Sequence, residues 1–244
     1  MTRSSESFRL VSGGYLVARP VERTPYMDAS LLPARLWSAS NCLARIAPGD
    51  WALEWVQRGD EERRSAAEAF GIPVDRLPAL IEWATARFDR DFGWPGIFLT
   101  LEAAREFCAA FVPEDSDAAI LGLALSDEDV EGVLQWLAPG PREGAPGVHR
   151  CLEARGAPAS GGLRLGWDVL VSDHGAGPSH SYLCNGLERD FAARLGARPN
   201  VYGLFDDPAR ARQCASYAGR EDVGAEPGAW RAWLLTAYPR SMER

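Results

Sequence analysis

Residues 118–125 read AAILGLAL, an apolar run without alternation. A run this short suits a central strand covered on both faces. Ser126 follows, with Asp129 three residues on, which resembles a capping box with Asp in place of the usual Glu. Beyond it, Val130, Val133, Leu134 and Leu137 fall on one helical stripe. The whole stretch reads as a β-to-α unit and sets the class as α/β or α+β.

Leu163, Leu165, Trp167, Val169 and Val171 alternate without a break, the signature of a strand. Upstream, residues 8–21 read FRLVSGGYLVARPV. Two apolar runs flank Gly13-Gly14, which predicts a tight hairpin turn. An N-terminal β-hairpin argues against a purely parallel, doubly wound fold. The expected architecture is therefore a single mixed β-sheet with helices packed on it.

The other elements follow from spacing. Trp51, Leu53 and Trp55 suggest a half-buried strand, and Asp60 to Phe70 a helix stopped by Gly71. Asp75 caps a helix with Leu77, Leu80, Ile81, Ala84 and Phe88 on one face; Ile97 to Leu99 suggests a short strand. Thr100 caps a helix facing inward through Leu101, Ala104, Phe107, Cys108 and Phe111. Residues 139–162, rich in Pro, Gly and Ala, read as one long loop with a short strand around His149–Glu153. A helix is expected from near residue 180, with Leu183, Leu187, Phe191 and Leu195 aligned and Gly196 past its end. Asp207-Pro208 opens another, and Trp230 to Tyr238 forms a final strand. Residues 1–244 are expected to form one α/β domain.

Composition excludes several chemistries. Hydrophobic residues are 46% and charged residues 25%, enough apolar material for a sizeable core. All 26 basic residues are arginine. Without lysine there is no lysine Schiff base, no standard P-loop, no protein-kinase machinery and no Ser-Lys hydrolase. The net charge is −8, and arginines are interleaved with acids, as in residues 58–64. A nucleic-acid partner is not expected, because that needs a clustered basic face. The N-terminus lacks the apolar core of a signal peptide, and no apolar run approaches the ~20 residues that span a bilayer. A cytoplasmic location with no membrane contact is expected. Cys42, Cys108, Cys151, Cys184 and Cys214 are odd in number and widely spaced, which fits reduced thiols.

The reactive groups gather at residues 172–188, SDHGAGPSHSYLCNGLE. Asp173, His174, His180 and Cys184 are the candidate site residues. His149, two residues before Cys151, joins them if residues 147–153 pair with 163–171. The run Asp173 to Ser179 resembles the D-x-G-x-G-x-G loop of S-adenosylmethionine-dependent methyltransferases, but Ser179 replaces the last glycine. It reads as a Gly-Pro turn. Cys184 with His180 and an acid makes a workable nucleophilic triad. The same His180-x3-Cys184 spacing, placed on a helix, grips one metal ion, with Asp173 or His174 adding ligands. Against these stands the reading of Cys184 as a buried structural cysteine. The charge and the tryptophan and arginine content favour a protein-binding module, such as an immunity or regulatory protein with a basic partner. The alternative is a Cys/His or metal-centred hydrolase or acyl-transfer enzyme with its site at 173–184. The sequence names no cofactor.

Overall fold

The computed structural model describes residues 9–43, 46–47, 64, 71–137, 147–173 and 177–241. Its strands are β1 (Leu10–Ala18), β2 (Val21–Glu22), β3 (Arg35–Leu36), β4 (Ile46–Ala47), β5 (Phe92–Gly93), β6 (Ile97–Phe98), β7 (Ala119–Ser126), β8 (Leu163–Asp173), β9 (Gly177–Ser181) and β10 (Ala229–Tyr238). Its helices are α1 (Leu77–Arg87), α2 (Leu101–Phe111), α3 (Val130–Leu137), α4 (Gly147–Ala154), α5 (Glu188–Leu195) and α6 (Pro208–Ala218). The α/β class is as expected. The main sheet runs β5-β6-β1-β7-β10-β8-β9, with β4 paired to β1; β2 and β3 form a separate ladder.

Every ladder between these strands is antiparallel. The apolar run at 118–125 does form a central strand, β7, and helix α3 follows it. Strands β7 and β8 both pair antiparallel with β10, so they point the same way. The last strand of the chain inserts between them and removes the parallel contact that a mixed sheet would have had.

Gly13-Gly14 does not turn the chain. Strand β1 runs through the pair to Ala18, and the glycines form a bulge between Ser12 and Gly14 against β7. Gly14 has φ +94°, and a Cβ there would lie 2.4 Å from Ile97 Cγ2 and 2.9 Å from the Phe98 carbonyl oxygen. The positive φ and the close approach of β6 both require glycine, and neither requires a hairpin.

Helices cover both faces. Leu121, Leu123, Leu170, Trp233 and Leu235 pack with Val130, Val133 and Leu137 of α3 and Val148 and Leu152 of α4. Val169, Val171, Trp230 and Leu234 pack with Phe191 of α5 and Ala211 and Cys214 of α6. Around α1 and α2, Phe98 and Phe107 pack with Tyr15, Val17, Ile120 and Tyr238. The alternation in β8 breaks once: Leu165 joins the first group and Trp167 the second. Between them Gly166 takes φ +139° beside an irregularity in the ladder with β10.

The expected caps hold at two helices. Thr100 Oγ1 accepts from the Ala103 amide at 3.1 Å, and Asp207 Oδ1 from the Ala209 amide at 2.9 Å. The capping box at Ser126 does not form; the chain enters α3 through a 3-10 turn at Asp127–Asp129 with no side-chain cap bond from Ser126. Within the expected loop 139–162, residues Gly147–Ala154 are helix α4, not a strand around His149–Glu153. It is amphipathic, burying Val148, His149, Cys151 and Leu152 against the sheet, so it does not pair with 163–171. The helix expected from residue 180 begins at Glu188. Residues 177–181 continue the sheet instead, and Leu183 and Leu187 are buried from turns. The expected strand at Trp51–Trp55 and, apart from Arg64, the helix from Asp60 to Phe70 lie outside the described residues. No helix among the described residues is long and apolar enough to cross a membrane.

Candidate metal centre

The site forms where the segment after β3 lies along the sheet edge at β9. The Asn41 amide donates to the Pro178 carbonyl at 3.4 Å, and the Cys42 amide to the Ser179 carbonyl at 3.2 Å. Small side chains make this approach possible: residues 38–41 are Ser, Ala, Ser and Asn. Ser40 serves as a hinge pin. Its hydroxyl donates to the Ser179 carbonyl at 3.0 Å, accepts from the Cys42 amide at 3.2 Å and lies 3.4 Å from Cys184 Sγ. Ser40 and Cys184 are 144 residues apart in the chain.

Underneath, Asp168 of β8 ties the two segments together. One carboxylate oxygen accepts from Ser38 Oγ at 2.8 Å and from the Ala39 amide at 3.2 Å. The other accepts from Ser181 Oγ at 3.1 Å. Asp168 is fully buried. Burial pushes its carboxyl up to about 6, against the opposing pull of these hydrogen bonds. A buried carboxyl is expensive unless its lone pairs are met, and here they fix the loops on either side of the site.

On this frame the Sγ atoms of Cys42 and Cys184 and a ring nitrogen of His180 lie within 4.8 Å of one another. His180 stands on β9 opposite Val171. Cys184 sits in the turn that follows, its Sγ accepting from the Ser181 amide at 3.4 Å. Burial raises the Cys184 thiol to about 11; the contact with Ser40 and the Ser181 amide oppose this, and Cys42 adds to it. Cys42 is exposed, and His180 and Cys184 are half-buried. On a tetrahedral zinc ion, with bonds of about 2.0–2.3 Å, neighbouring ligand atoms are roughly 3.5–3.8 Å apart. The three groups need move by only about an ångström to meet that requirement.

Of the four residues singled out by sequence, His180 and Cys184 do meet, but across a strand end and a turn rather than on one helix face. Asp173 closes β8 opposite Gly177; its side chain and His174 lie outside the described residues. His149 is on α4, its Nδ1 3.3 Å from Glu153 Oε2. Cys42 was missed. Its sequence surroundings carry only a run of small polar residues, and nothing in their spacing points to residues 180–184. Asp168, a carboxyl set between Trp167 and Val169 in the middle of β8, was the readable signal.

These elements define an α/β protein with a two-thiol, one-imidazole cluster at the edge of an antiparallel sheet. Comparison with protein-family models, curated proteins and solved structures gave no match to the chain.

Proposed function

We propose that Cys42, His180 and Cys184 bind one divalent transition-metal ion, zinc by chemical preference, and that the chain is a metal-dependent hydrolase or acyl-transfer enzyme. One observation supports this above all: two thiols and an imidazole from distant segments converge within 4.8 Å. Thiolate and imidazole donors together favour zinc over the hard cations. Among the described residues three protein ligands converge, which leaves a fourth position for water or substrate, the pattern of catalytic rather than structural zinc. An ion there supplies a Lewis acid and lowers the pKa of bound water to about 7. The exposed side of Cys42 gives solvent and substrate a way in.

The test is hydrolysis of a panel of activated esters and amides by zinc-loaded protein, chelated protein and His180→Ala. Turnover that is lost on chelation, restored by zinc and lacking in His180→Ala is expected. Equal rates in all three would contradict the reading. The alternative, a partner-binding immunity or regulatory module, draws on the net charge of −8, which would steer a basic partner. It is the reading left if the metal-loaded protein turns nothing over.

A further inference from the structure

Two of the three proposed ligands are thiols that face each other, and that has a second chemical outcome. We propose that Cys42 and Cys184 are a redox-active dithiol pair, which a low-molecular-weight disulfide closes into an intramolecular Cys42–Cys184 bond. The consequence for a metal rests on the metal-centre reading above; the disulfide itself does not.

The geometry selects this pair. The two Sγ atoms lie within 4.8 Å, and both residues pack on the same Ser40 hydroxyl, one through its amide and one through its sulfur. A disulfide needs its sulfurs at about 2.05 Å. Cys42 lies in an exposed turn, so its side chain has open space in which to rotate toward Cys184. Accessibility selects it too. Cys108, Cys151 and Cys214 are all buried, so an oxidant arriving from solvent meets Cys42 first. His180 stands beside both sulfurs.

The step balances as a thiol–disulfide exchange. The Cys42 thiolate attacks one sulfur of the small disulfide, whose S–S bond breaks and releases one thiolate. Cys184, losing its proton as it reacts, then attacks Cys42 Sγ, which expels the second thiolate; the two protons given up by the protein thiols end on the two small thiolates released. Two protein thiols lose two electrons, and one disulfide is reduced to two thiols. The closed form retains one imidazole and no thiolate, and so surrenders a bound zinc ion.

The experiment treats reduced full-length protein, with and without prior zinc loading, with oxidised glutathione. Crosslinks are mapped by mass spectrometry of non-reduced peptides, and released zinc is read with a chromogenic chelator. The expected product has a single Cys42–Cys184 crosslink, is reopened by dithiothreitol, and gives up about one zinc per loaded chain. Cys42→Ser, at an exposed position, should form no crosslink. Cys108→Ser/Cys151→Ser/Cys214→Ser should behave like wild type. A glutathione adduct that persists on Cys42, a crosslink to another cysteine, or no reaction would overturn the proposal. Crosslinking in protein that takes up no zinc would sustain the dithiol pair and refute the metal centre. Retained zinc without a crosslink would do the reverse.

Discussion

Asp168 is a carboxyl group with no access to solvent, and its three hydrogen bonds reach both halves of the site. Its folded-state value of about 6 lies above the ordinary 3.8, so the folded protein holds this proton more tightly than the unfolded chain does. The resulting stability is fully present below about pH 4 and is lost as pH rises through 6. A shift of that size corresponds to a change on the order of 3 kcal/mol. Urea unfolding of wild type and Asp168→Asn between pH 4 and 7 should show it. The stability of wild type relative to the variant should fall across that window, and a constant difference would refute the assignment. At the site itself, His180→Ala removes one of three donors. Zinc affinity measured by chelator competition should drop by at least about 100-fold, more than loss of an outer hydrogen-bond partner costs.

Elements were legible in the sequence where one local force decides them. Burial on both faces marks β7, alternation marks β8, and a side chain with a free oxygen marks the starts of α2 and α6. Thr100→Ala should cost about 1 kcal/mol, read from chemical denaturation, because the Ala103 amide loses its acceptor. Elements were illegible where two arrangements share one pattern. Gly13-Gly14 suits a hairpin turn and a bulge equally; the ladder with β7, which continues on both sides of the pair, selects the bulge. Gly14→Ala should therefore destabilise by about 2–4 kcal/mol, since its Cβ would collide with Ile97 and the Phe98 carbonyl at a positive φ. A hairpin turn at the surface would have tolerated the change better. Leu183 and Leu187 have helical spacing, yet the hydrogen bond from the Tyr182 amide to the Val169 carbonyl holds that segment to the sheet. That contact is tertiary, and no local pattern announces it.

At the scale of the molecule, the sheet order decides what the site contains. With β10 between β7 and β8, strand β9 becomes the edge along which residues 40–42 lie. His180 and Cys184 could be found by their local clustering. Cys42 could not, because its place depends on a packing contact 144 residues long at Ser40. A metal bridging these segments would bind the folded chain more tightly than the unfolded one. At zinc concentrations near 1,000 times Kd it should add up to about 4 kcal/mol of stability. Differential scanning calorimetry should then show a zinc-dependent rise in Tm for wild type and none for Cys42→Ser.

The most direct measurement is the metal content of untagged protein purified without chelator, by elemental analysis, beside Cys42→Ser and His180→Ala. Close to one zinc per chain is expected in wild type, with a large loss in both variants. Wild-type protein without stoichiometric metal, even after incubation with zinc and desalting, would contradict it.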